Sequence, residues 1–163
     1  MNAHDWVKKL NLEPHSEGGY FKKTYHSDIN ISLKTTTRAV ATSILFLLKT
    51  NNPSHFHRLK SDETWYYHAG HPLTVHMIFP NGEYKTVSLG LGEHDVLQFT
   101  VPRGVIFGST VESNNDDDFA IVGCCVTPAF DYDDFELFTQ KQLLAIYPQH
   151  KDIIHQLAYD VLP

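Results

Sequence analysis

The sequence predicts an all-β fold, a closed barrel or jelly roll with a short helix at each end. Three observations carry this reading. Short runs rich in Val, Ile, Thr, Tyr and Phe recur between turn signals through the middle of the chain. Two of these runs flank Pro80-Asn81-Gly82, a strong hairpin signal. Helical periodicity is confined to the two ends of the chain.

The first dozen residues read as a helix, with Trp6, Val7 and Leu10 at helical spacing, stopped at Glu13-Pro14. Gly18-Gly19 opens a turn into a strand from Tyr20 to Tyr25. Residues 26–37 are polar and rich in Thr and Ser, a loop with an edge strand. Arg38 to Leu48 is β-rich and ends at the Asn51-Asn52-Pro53 turn. Strands follow at Glu63–His68, Leu73–Phe79, Tyr84–Leu89, Val96–Val101, Val105–Val111 and Phe119–Val126. Asn114 to Asp118 is a solvated loop tip and lacks the ligand spacing of a calcium loop. At Thr139 the period changes. Thr139 and Gln142 form a capping box before Leu143, Leu144 and Ile146, and a last helix after Pro148 carries Ile153, Ile154 and Leu157. With no internal repeat and no linker, residues 1–163 read as one domain.

Composition narrows the function. The chain has 163 residues, 42% of them hydrophobic and 20% charged, the mix of a water-soluble globular domain. Its longest apolar run, residues 39–48, is broken by Thr42 and Ser43 and is too short to span a bilayer as a helix. The first residues carry neither a basic nor an apolar signal region. A net charge of −6, with no dense Lys/Arg block, argues against nucleic acid as a partner. Two adjacent cysteines, Cys124 and Cys125, point to opposite faces of a strand and predict no disulfide, which fits a cytoplasmic location. Histidine is abundant, at 11 residues.

The densest constellation is Ser54-His55-Phe56-His57-Arg58-Leu59-Lys60-Ser61-Asp62-Glu63. In a regular strand His55 and His57 share one face. Two imidazoles on one pleat, with a carboxylate such as Glu63 from the next strand, form a two-His, one-carboxylate set. Trp65 and Tyr67 project on the same side as Glu63, an aromatic wall beside a polar floor.

His55-x-His57, then Glu63 and Gly70, resembles the first motif of the cupin superfamily, and Gly92 through Pro102-x-Gly104 resembles the second. The likeness extends to the Cupin_5 family through four segments. They are Glu17-Gly18-Gly19-Tyr20-Phe21, the string from Ser54 to Glu63, Val101-Pro102-x-Gly104, and Phe130-Asp131-x-Asp133-Asp134-Phe135-Glu136-Leu137. The resemblance implies a double-stranded β-helix barrel, often dimeric, with a pocket inside; its fold relatives include dTDP-sugar epimerases. The sequence departs from the pattern in three places. The Gly that usually precedes the His pair is missing from Lys49-Thr50-Asn51-Asn52. Five residues separate His57 from Glu63, which leaves Asp62 a competitor for the carboxylate role. Phe107 stands where the second motif places a His, so the fourth metal ligand is lost.

The first functional reading is a small-molecule-binding isomerase or epimerase acting on a sugar-like or nucleotide-like ligand. His55 or His57 is the base, oriented by Glu63 or Asp62, and Tyr67 or Tyr20 is the acid. Arg58 and Lys60 hold an anionic part of the substrate, and Trp65 and Tyr67 stack on its ring. His76 is either a core histidine or a third pocket imidazole, and Phe107 narrows the pocket floor. Glu17 and Tyr20 either edge the pocket or steady the turn. The alternatives are a non-catalytic ligand-binding cupin and a divalent-metal-dependent enzyme. With Phe107 in place no cofactor is expected; a metal, if bound, would use His55, His57 and Glu63. The apolar strand from Ala41 to Leu48 would be a liability at a free sheet edge, which with the resemblance predicts a homodimer and no membrane partner.

Overall fold

Asn2 starts the chain with a capping box. Its side chain accepts from the Asp5 amide at 2.9 Å and the Asp5 carboxylate accepts from the Asn2 amide at 3.0 Å. Helix α1 (Ala3–Leu10) follows and ends at Asn11, which takes the left-handed conformation. The computed structural model describes all 163 residues. Its strands are β1 (Glu13–Pro14), β2 (Tyr20–His26), β3 (Asn30–Ser32), β4 (Thr37–Ala39), β5 (Thr42–Lys49), β6 (Ser54–Arg58) and β7 (Asp62–Gly70). They continue as β8 (Leu73–Ile78), β9 (Tyr84–Leu89), β10 (Gln98–Val101), β11 (Ile106–Val111), β12 (Phe119–Thr127) and β13 (Glu136–Leu137). Helices α2 (Gln140–Ile146) and α3 (Lys151–Leu157) close the chain. The Thr139–Gln142 capping box forms as the sequence predicts.

The strands build a six-stranded sheet, β1-β2-β5-β12-β7-β10, and a five-stranded sheet, β13-β6-β11-β8-β9. All pairings within them are antiparallel. The polar 26–37 stretch supplies the short β3–β4 ribbon. Alternation turns Phe46, Leu48, Trp65, Val122 and Cys124 of the first sheet toward Leu73, Val75, Met77, Phe107 and Val111 of the second. The two sheets remain open at their edges and enclose this core as a jelly roll. One expectation fails here. Strand β5 is no free edge, because β2 pairs with one side of it and β12 with the other.

The outer faces are treated differently. Leu143, Ile154 and Leu157 of α2 and α3 cover Phe56, Ile78 and Ile106 on the back of the five-stranded sheet. Helix α1 covers only one end of the six-stranded sheet, where Ala3, Trp6 and Val7 cluster with Leu47, Ile121, Tyr20, Ala69 and Phe119.

Strand β6 breaks its alternation. Ser54 pairs with Ser109 and His57 with Phe107, so His55 and Phe56 together face Gly108 alone. This is a β-bulge. Gly108 permits it: a Cβ there would lie 2.6 Å from the Ser54 carbonyl oxygen.

Candidate functional site

A cavity of about 300 Å³ opens at one end of the jelly roll. Glu17, His57, Glu63 and Cys124 are buried in its wall, with His15, Phe21, Phe130 and Tyr132 beside them. Lys23 and His26 line it as exposed residues, and Asp131 as a half-buried one.

Glu17 reaches the cavity because of the two glycines that follow it. Gly18 and Gly19 take φ of 108° and 72°, the region open to glycine. A Cβ on Gly18 would lie 1.9 Å from the Pro53 carbonyl oxygen. The turn therefore lies directly on the chain entering β6, where the Glu17 carbonyl accepts from the His55 amide at 2.7 Å. Far along the chain, the Tyr159 hydroxyl donates to the Ser16 carbonyl at 3.1 Å, and its ring stacks on His55 at 3.7 Å.

The hydrogen bonds fix where the protons sit. His57 Nδ1 lies 2.7 Å from the His55 carbonyl oxygen, which can only accept, so Nδ1 carries the hydrogen. Burial holds the imidazole neutral, lowering its pKa to about 3. Nε2 then offers a lone pair to Glu17 Oε2, 3.2 Å away. Burial, and then the neighbouring Glu63 charge, raise the Glu17 carboxyl well above the usual carboxylate range. Glu17 is thus the proton donor to His57, while its Oε1 accepts from the Ser54 hydroxyl at 3.0 Å. Glu63, on β7, is pushed up to about 7 by burial. The Trp65 indole and the Cys124 thiol beside it favour its charged form, yet Glu63 Oε2 and Trp65 Nε1 complete no hydrogen bond. The Cys124 thiol is raised by burial and by both carboxylates, which keeps it protonated and poorly nucleophilic. His15 is lowered to about 4 by burial, and its Nδ1 accepts from the Glu17 amide at 3.1 Å.

This chain matches the family model Cupin_5, cupin superfamily (DUF985), over residues 4–138. It is a Cupin_5 protein. The cupin is 47% identical to a protein from Shewanella oneidensis whose crystal structure superposes with a TM-score of 0.91 over 99% of each chain. It is 43% identical to a hypothetical protein from Leishmania major, also at a TM-score of 0.91, over 98% of this chain and 99% of that one. An uncharacterized protein of Saccharomyces cerevisiae is 28% identical over 146 residues, 80% of this chain and 70% of that protein. Oxalate decarboxylase from Bacillus subtilis, at 15% identity and a TM-score of 0.57 over 93% of this chain and 38% of that one, shares the fold alone.

Several residues singled out from the sequence lie elsewhere in this cupin. The bulge turns His55 out of the cavity and onto Tyr159. Arg58 pairs with Glu136 at 2.6 Å in a separate outer groove, which Lys60 shares with Arg103, Gly104 and Asp134. Alternation puts Arg58 there, since its neighbour His57 points inward. His76 lies on the covered back of β8, held by the Tyr84 hydroxyl at 2.6 Å and Thr110 at 2.8 Å, so it is no cavity imidazole. Tyr20 packs in the α1 cluster, and Tyr67 bonds the Gly70 carbonyl, so neither lines the cavity. Trp65 and Phe107 lie in the core beneath the cavity, with Phe107 4.2 Å from the His57 ring. His57 and Glu63 do line it. His15 and Tyr132 also line the cavity and carry no sequence signal, whereas Glu17, which the sequence offers as either a pocket edge or a turn residue, is a pocket residue announced by the doubled glycine after it.

The donor set does not fit a metal. His55 is turned away, His57 spends Nδ1 on a carbonyl and Nε2 on Glu17, and Phe107 fills the fourth ligand position. No three His, Cys, Asp or Glu side chains are grouped to hold an ion. No helix is long and apolar enough to cross a membrane.

Proposed function

We propose that this cupin is an isomerase or epimerase that moves a proton beside a carbonyl on a small, sugar-like ring compound. The observation that carries the reading is Glu63, a buried carboxyl with a pKa of about 7 and a bare oxygen, in the same cavity as the protonated Glu17–His57 pair. The Glu63 carboxylate takes the C–H proton. The C–H electron pair becomes a C=C bond, and the carbonyl oxygen takes the Glu17 proton to give an enol. Return of a proton to carbon, at either face or at the neighbouring carbon, and loss of the enol proton to Glu17 complete the turnover. A volume of about 300 Å³ suits a single ring and is small for a whole nucleotide. Cys124 and Cys125 are both free, which agrees with work in a reducing cytoplasm.

The test is hydrogen exchange in deuterated water with aldoses and ketoses that raise the melting temperature of the protein. Deuterium should enter beside the carbonyl, about a hundred-fold more slowly with Glu63→Gln. Binding without exchange would make the protein a ligand-binding module.

For assembly we propose a homodimer built on the outer face of the six-stranded sheet that α1 leaves bare. Ser43, Leu45, Tyr66, His68, Gly123 and Cys125 line a shallow depression there.

A further inference from the structure

The cavity's charges oppose the ligand that the sequence suggests. The cations expected to grip an anion, Arg58 and Lys60, lie in the outer groove beside Glu136 and Asp134. Inside the cavity the buried ionisable groups are Glu17, Glu63, Cys124 and two imidazoles, His15 and His57, that burial keeps neutral. Lys23, the cavity's only Lys or Arg, is exposed. Glu63 is 7% exposed, and its Oε2 has no hydrogen-bond partner. A buried oxygen of this kind is left without the donor it needs. Phe21, Phe130 and Tyr132 supply ring faces in the same wall, Phe130 and Tyr132 meeting edge-to-face at 5.0 Å.

We propose that the ligand is a ring compound whose buried end is an N–H-rich, cationic nitrogen group, of the amine or amidine class, donating to Glu63 and carrying no anionic group into the cavity. This shares with the reading above only the cavity as the ligand site, and it gives Glu63 the role of anion to the ligand's nitrogen in place of base to a C–H. Glu63 accepts from the ligand with the oxygen that nothing else in the protein satisfies, and the aromatic wall receives the ring. An anionic head would instead meet two carboxyls with no buried cation to offset them.

Three probes with one ring and different heads test this: benzamidine, benzyl alcohol and benzoate, titrated calorimetrically into the full-length protein. Benzamidine should bind best and benzoate worst. Between about pH 6 and pH 8 the benzamidine affinity should rise about ten-fold as Glu63 ionises. The groups facing Glu63 are Glu17, His57, His15 and Cys124, with Lys23, His26 and Asp131 lining the same cavity, so the titration is repeated in His26→Gln to remove the exposed imidazole. Glu63→Gln should lose benzamidine affinity at least ten-fold while keeping benzyl alcohol, which also reports that the cavity is intact. Benzoate binding as tightly as benzamidine, no benzamidine binding at millimolar concentration, or unchanged benzamidine binding in Glu63→Gln would each overturn the proposal. Benzamidine has no C–H beside a carbonyl, so these outcomes are independent of the deuterium-exchange test of the enzymatic reading.

Discussion

Glu63 makes the pH dependence of stability a residue-level question. Its carboxyl is raised from an ordinary value near 4.5 to about 7, so the folded state holds the proton more tightly than the unfolded chain. Its contribution is therefore complete below about 4.5 and is lost as pH rises through about 7. The loss is on the order of 3 kcal/mol from a shift of this size. His57 and His15 act in the opposite sense: they are lowered from 6.5 to about 3 and about 4, and their stability is lost as pH falls. Glu63→Gln should raise the melting temperature above about pH 7, keeping the acid-side decline and the part of the alkaline loss that Glu17 contributes, as read by thermal unfolding across pH. A second prediction separates the paired histidines. His55→Phe keeps the stack on Tyr159 and should retain proton exchange within a few-fold, whereas His57→Phe should lower it about a hundred-fold. The sequence alone makes His57 and Glu63 stand out, because their residue types and spacing suit a polar floor. His55 is misread, because the bulge is marked only by Gly108 on the partner strand and by nothing in β6 itself.

Among the elements, the turn before β2 decides whether the site exists. Gly18→Ala would drive a Cβ against the Pro53 carbonyl at a φ of 108° and should cost about 3 kcal/mol or more in urea unfolding. Gly104→Ala is the control. It has a positive φ of 80° but meets nothing within 4 Å, so it should cost only about 1–2 kcal/mol. The strands and capping boxes are legible from pattern because local chemistry specifies them. The placement of Glu17 is not, since it depends on where β6 passes, 37 residues later at Ser54. The doubled glycine announces only that some close approach must occur.

For the whole molecule, the assembly can be read from mass. Light scattering should give twice the 18.6 kDa of one chain, and Leu45→Glu on the bare sheet face should return it to the monomer. A wild-type monomer at micromolar concentration would remove the dimer. The jelly roll itself follows from the strand pattern, but the division of the strands between two sheets is set by long-range pairing that no local signal carries.

The bond from Tyr159 to Ser16 joins residues 143 positions apart. It braces the turn that carries Glu17, so the pocket is finished only by a residue made 143 positions after that turn. A nascent chain can lay down its hairpins early, because those contacts are local, but it has no competent binding site until Tyr159 has been made. Ligand therefore cannot assist the early stages of folding, and a chain cut short before Tyr159 should fold its strands yet bind weakly.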